Sequence, residues 1–106
     1  MKKLLVLYPR PLDEEAFLYY YRGEHLSRVL ELPGLLSASY SVTDDNNAPY
    51  FVYFEAVFQH GQALADAMAS DVGKFLAGDI ENFSPKGAVT VVSETEVLKS
   101  LTVNAD

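Results

Sequence analysis

Tyr50-Phe51-Val52-Tyr53-Phe54-Glu55-Ala56-Val57-Phe58 is the most β-prone run in the chain, and both of its parities are apolar. Tyr50, Val52, Phe54, Ala56 and Phe58 share one face of the predicted strand, and Phe51, Tyr53 and Val57 share the other. One layer of helices covers only one face of an antiparallel sheet, so the second apolar face calls for another surface. A second copy of the chain is the simplest one.

Upstream, Leu36-Ser37-Ala38-Ser39-Tyr40-Ser41-Val42 alternates, with Leu36, Ala38, Tyr40 and Val42 on one face and the serines on the other, the pattern of a half-buried strand. Asp44-Asp45-Asn46-Asn47 is rich in side chains that bond their own backbone, and Pro49 marks the exit, so the two strands form a hairpin. Before them, Leu32-Pro33-Gly34 stops a helix predicted from Glu14 to about Glu31, with Asp13 as its N-cap. Phe17, Tyr21, His25 and Val29 recur every fourth residue along this helix, and Tyr19, Leu26 and Leu30 form a second stripe. Gly23 costs ~1 kcal/mol in a helix interior, which implies a bend or a close contact there. Glu24 and Arg28 are spaced to pair across a turn. Leu4 to Tyr8, ended by Pro9, reads as a first strand, its apolar run being shorter than the ~7–15 residues of a signal-peptide core.

Downstream, His60-Gly61-Gln62 opens an Ala-rich helix, and Ser70 caps a further helical piece from Asp71 to Ala77 that ends at Gly78. Asp79 to Gly87 reads as a loop with a turn at Pro85 to Gly87, and Ala88 to Val92 as the last strand, with Val97 as its furthest limit. The tail from Leu98 to Asp106 carries no assignment. The order strand, helix, strand, strand, helix, strand is the split βαβ pattern: an α+β, ferredoxin-like βαββαβ domain over residues 1–106, with a four-stranded antiparallel sheet. Its uncovered apolar face predicts a homodimer through the sheets.

A net charge of −7 without any block of Lys or Arg argues against nucleic acid and anionic membrane as partners. No apolar run approaches the ~20 residues of a membrane helix, so a soluble protein is expected. With no cysteine there is no disulfide framework, thiol nucleophile or Cys-based metal site, and the balance leans toward the cytoplasm. His25 and His60 stand far apart with no ligand cluster around either, so no metal is expected. There is no phosphate loop and no nucleophile elbow, and no cofactor is indicated.

The opening Leu4-Leu5-Val6-Leu7-Tyr8-Pro9-Arg10-Pro11, Phe17 with Tyr20-Tyr21, Glu24-His25-Leu26 and Leu32-Pro33-Gly34-Leu35 resemble the first half of the EthD family. The Ala-rich helix followed by Asp79-Ile80-Glu81-Asn82-Phe83 resembles its second half. The similarity spans about Lys3 to Val92. The resemblance implies the dimeric α+β barrel, in which two ferredoxin-like subunits close their sheets around a shared interior. EthD is associated with bacterial degradation of ethyl tert-butyl ether. The wider superfamily includes monooxygenases, isomerases, dehydratases and haem-handling proteins, a breadth that keeps function from following from fold.

His25 is the sharpest chemical candidate, because imidazole serves as acid or base near neutral pH, and the resemblance places it at the family's motif histidine. The competing reading is a structural histidine bonded to a backbone carbonyl or to Glu24. Tyr21, beside it on the same face, is its candidate hydroxyl partner. Tyr20 is read as a ligand contact or a core aromatic with one wet end. Glu55, a carboxylate in an apolar strand, is expected to pair with Arg10 or Arg28, against the alternatives of facing water at an edge or lining a pocket as an acid. Arg10 is a candidate for binding an anionic group, against an ordinary surface arginine. Asp79 and Phe83 belong to a loop that could cover a cavity.

Two functions follow. One is a cofactor-independent enzyme acting on a small hydrophobic or aromatic compound by proton transfer at His25. The other is a non-catalytic ligand-binding or accessory protein of a degradative oxygenase pathway.

Overall fold

The computed structural model describes residues 1–101. The part of the unassigned tail beyond residue 101 lies outside the described residues. The sheet is formed by β1 (Lys2–Tyr8), β2 (Ser37–Val42), β3 (Val52–Phe58) and β4 (Val89–Glu94) in the order β2-β3-β1-β4, every neighbour antiparallel. Its helical layer contains α1 (Glu14–Tyr20), a π-helical segment (Tyr21–His25), α2 (Leu26–Val29), α3 (Gly61–Ala69) and α4 (Asp71–Phe83). This is the ferredoxin-like α+β fold the pattern predicts. None of the helices among the described residues is long and apolar enough to cross a membrane.

The first helical stretch carries a device that explains its pattern. An α-helix turns ~100° per residue, so residues four apart drift by about 40° around the axis at each step. A stripe of Phe17, Tyr21, His25 and Val29 would therefore wander off its face. The π segment underwinds the chain at mid-stripe, closing with a bond from the Leu26 N–H to the Tyr21 carbonyl, and all four residues stay buried. Gly23 lies in this segment with nothing packed against it, so it marks the change of winding and not a close contact. The predicted Glu24–Arg28 pair does not form; Arg28 turns to Glu31 at 2.8 Å. Of the second stripe, Tyr19 and Leu30 point to solvent.

The loop expected at Asp79 to Phe83 is helix. Gly78 does not terminate α4, because its small side lies in open space and the buried stripe Leu76, Asp79 and Phe83 continues beyond it. The chain reverses instead at Ser70, which is the C-cap of α3 and the N-cap of α4, its Oγ accepting from the Gly73 N–H. Gly73 is required there: a Cβ would lie within 2.2 Å of the Ala67 carbonyl oxygen. His60 caps α3 by accepting from the Ala63 N–H at 3.1 Å, the helix-start role its position suggests.

In β3, Val52, Phe54, Ala56 and Phe58 face the helices, while Tyr53, Glu55 and Val57 face away. Phe51 departs from strict alternation. It is buried in the core, its ring 5.6 Å from that of Phe17, whereas Tyr50 meets Tyr53 on the other side. The open face is less apolar than expected. Register sets Leu5, Leu7, Tyr53, Val57, Val89 and Val91 there, but also the serines of β2 and a Lys3–Glu55 ion pair of 3.2 Å.

Candidate functional site

The aromatic side chains of β1, α1, the π segment and α4 converge behind the end of β1. Tyr8, Phe17, Tyr21 and Phe83 lie with ring centroids 5.2–5.6 Å apart and form the dry wall against which His25 sits. Tyr21 stacks on the imidazole at 5.5 Å, and Phe83 approaches it at 4.7 Å. The π segment delivers His25 into this wall, and the uninterrupted α4 delivers Asp79.

His25 Nδ1 lies 2.9 Å from Asp79 Oδ2, and both side chains are buried. The other carboxylate oxygen, Oδ1, accepts from the Tyr20 hydroxyl at 2.7 Å and the Asn82 amide at 2.9 Å. Burial alone would push the Asp79 carboxyl up, but the hydrogen bonds from Asn82, Tyr20 and His25 outweigh it and hold it below its ordinary value. Burial likewise holds the imidazole below its ordinary value, against the opposing pull of Asp79. Near neutral pH the pair is therefore a carboxylate facing a neutral imidazole. The carboxylate can only accept, so Nδ1 carries the proton and Nε2 is left with its lone pair.

His25 borders a smaller, partly open pocket of about 90 Å³ between sheet and helices, lined also by Tyr8, Val6, Phe54, Ile80 and the exposed Thr90. A larger cleft of about 410 Å³ opens on the outside, between the segment after β1 and the end of α4. Tyr20, Asn82 and Phe83 line the outer cleft, so Asp79's two Oδ1 donors border one space while the histidine on its Oδ2 borders the other.

No family model matches the chain. An uncharacterized 11.0 kDa protein of the thcB–thcC intergenic region of Rhodococcus erythropolis is 28% identical over 105 residues, covering 92% of this chain and 98% of that protein. The crystal structure of an EthD family protein from Bacillus halodurans superposes with a TM-score of 0.85 at 25% identity, over 91% of this chain and 99% of the other. The chain is EthD-like. A dimeric ferredoxin-like protein of unknown function from Jannaschia, at TM-score 0.64 and 18% identity over 89% of this chain and 97% of its own, shares the fold.

Of the residues singled out in this EthD-like chain, the fold brings His25, Tyr20, Tyr21, Asp79 and Phe83 together. Tyr21 touches the histidine through its ring and does not line the cavity; its hydroxyl is buried beside that of Tyr8 without a well-formed hydrogen bond. Arg10 and Glu55 lie elsewhere. Arg10 pairs with Glu14 at 3.0 Å and lies over Phe51, and Glu55 is on the open sheet face with Lys3, so the expected pairing exists with a different partner. The bond between His25 and Asp79 was not anticipated, because a loop reading removes Asp79 from any helix face. Continuing α4 through Gly78 would have revealed a carboxylate inside the apolar stripe of Leu76 and Phe83, a signal of a buried, partnered acid. Tyr8 and Thr90 also border the cavity, and nothing in their strand pattern set them apart.

Proposed function

We propose that the protein is a cofactor-independent enzyme in which His25 moves a proton on a small hydrophobic or aromatic compound. The observation that carries this reading is the buried His25–Asp79 bond of 2.9 Å, which leaves Nε2 as the basic atom of a histidine that borders a pocket. In the step it supports, Nε2 takes a proton from a carbon next to a carbonyl, leaving an enolate. The imidazolium so formed is stabilised by the Asp79 carboxylate and returns the proton to the same or a neighbouring atom. Asp79 itself stays ionised and acts as a positioning residue.

Small enolisable ketones and phenolic ketones incubated with the protein in deuterated water provide the test. Deuterium should enter at the carbon next to the carbonyl, and His25→Ala should slow this by ~10²–10⁴-fold. Equal exchange in the variant would remove His25 from the chemistry. A specific observation favours the second reading, a ligand-binding or accessory protein: the larger cleft of about 410 Å³ is not lined by His25. Saturable binding of such a compound with no exchange would favour that reading.

The proposal includes a homodimer through the open sheet face, supported by Val89 and Val91, which are 44% and 39% exposed there, and by the dimeric description of the Jannaschia neighbour. A cytoplasmic location completes it, in keeping with a chain free of cysteine.

A further inference from the structure

The two spaces flanking the Asp79 network differ in size enough to separate their occupants. An engineered cavity of ~150 Å³ holds benzene, and the pocket beside His25, at about 90 Å³, is smaller than that. The outer cleft, at about 410 Å³, falls within the ~300–1,000 Å³ of ligand pockets. Its walls are flat and apolar: Phe17, Tyr20 and Phe83, with Pro9, Pro11 and Pro85. Tyr20 stacks on Phe83 at 5.7 Å with 23° between the planes, which extends the aromatic surface. The lining charges of the cleft are opposite: Lys86 donates to the Arg10 carbonyl at 3.0 Å and keeps its charge, and the Asp13 carboxylate stands against it, so the lining is neutral on balance. Its remaining donors, Tyr20 and Asn82, are the two that hold Asp79 Oδ1.

We propose that the outer cleft binds a planar, uncharged aromatic compound carrying an oxygen acceptor, and that this ligand acts on His25 by drawing the Tyr20 or Asn82 donor away from Asp79. Planarity matches the ring surfaces, and the missing charge matches the balance of Lys86 against Asp13 in the lining. An acceptor on the ligand is what the Tyr20 O–H and the Asn82 N–H, the two donors on Asp79 Oδ1, can bind. A donor withdrawn from Oδ1 leaves more of the carboxylate's charge for the imidazole on Oδ2, which favours the protonated ring. Of the groups packed around His25, Asp79 from α4 is the charged one; Tyr8 from β1 and Tyr21 from the π segment are phenols pushed up by burial, and Phe83 does not titrate. The coupling needs no catalytic role for His25 and stands apart from the enzymatic reading.

The test uses 2-naphthol and the whole protein, followed by NMR. Amide signals of Leu12, Ala16 and Lys86 should shift saturably with a Kd below about 1 mM, and the His25 ring titration should move upward by about 0.5 pH unit, roughly threefold in its acid constant. Ala16→Trp, which fills the cleft from an exposed helix position, should weaken binding by about tenfold; Leu12→Trp replaces it if that variant does not fold. Tyr20→Phe should raise the His25 titration by itself and reduce the further rise with 2-naphthol. Absence of saturable binding overturns the proposal. So do shifts centred on Val6 and Thr90 in the smaller pocket beside His25, or cleft binding that leaves the His25 titration where it was.

Discussion

Asp79→Asn separates orientation from mere packing, because the amide has nearly the shape of the carboxylate but only one acceptor oxygen. Tyr20 and Asn82 both donate to Oδ1, at 2.7 and 2.9 Å, and hold the amide oxygen in that place. The NH2 group then occupies the Oδ2 position, 2.9 Å from His25 Nδ1. Two donors cannot bond, so His25 must shift its proton to Nε2, and that atom changes from acceptor to donor. The network stays complete, but its three charge-assisted bonds become neutral ones, a loss partly offset by removing a buried charge, about 1–2 kcal/mol net. Asp79→Ala, which removes three accepted bonds and strands the His25 N–H, should cost about 3 kcal/mol or more. Urea unfolding measures both losses, and deuterium exchange into an enolisable ketone measures the chemistry. The expected result is an Asn variant that is nearly as stable as the parent yet slower by ~10²–10⁴-fold. Exchange retained within a few-fold, or an Asn variant as unstable as Ala, would refute the orientation argument.

Acid should lower stability in two stages, because both groups are held below their ordinary values in the fold. The contribution of His25 is full above about pH 6.5 and declines below it as the unfolded chain takes up the proton first, and that of Asp79 declines below about 3.9. Urea midpoints against pH would show both stages, and His25→Gln should erase the upper one. Tyr21→Phe removes a buried hydroxyl without a well-formed bond while keeping the ring on His25, so stability should hold or rise by up to about 1 kcal/mol; a large loss of exchange activity in this variant would show that the hydroxyl, and not the ring, matters. Val91→Asp, on the open face opposite Leu5, should yield a folded particle of half the parent mass in sedimentation, whereas Val52→Asp, fully buried against the helices, should unfold. A parent that sediments as a monomer at micromolar concentration would contradict the dimer.

The fold was legible because each strand declared itself locally: the apolar run before Pro9, the alternation from Leu36 to Val42, and the dense run ending at Phe58. The parity of that last run was legible only from Val52 onward, since the irregularity at Tyr50 and Phe51 depends on packing against Phe17. The every-fourth spacing of Phe17, Tyr21, His25 and Val29 held more information than a helix assignment extracts. Sustained over so many residues it demands underwinding, which the π segment supplies at Gly23. Half of the candidate site was visible as His25 with its tyrosines. The other half was hidden by Gly78, whose helix-stopping tendency loses here to the burial of Phe83 and the bonds of Asp79.

The tautomer and titration of the His25 ring, read by nitrogen NMR on the unmodified protein, test the central claim most directly. The account predicts a neutral ring near pH 7 with its proton on Nδ1, and a titration below the ordinary imidazole value that moves when Asp79 is replaced by Asn. A proton on Nε2, or a ring that titrates at the ordinary value and ignores Asp79, would contradict it.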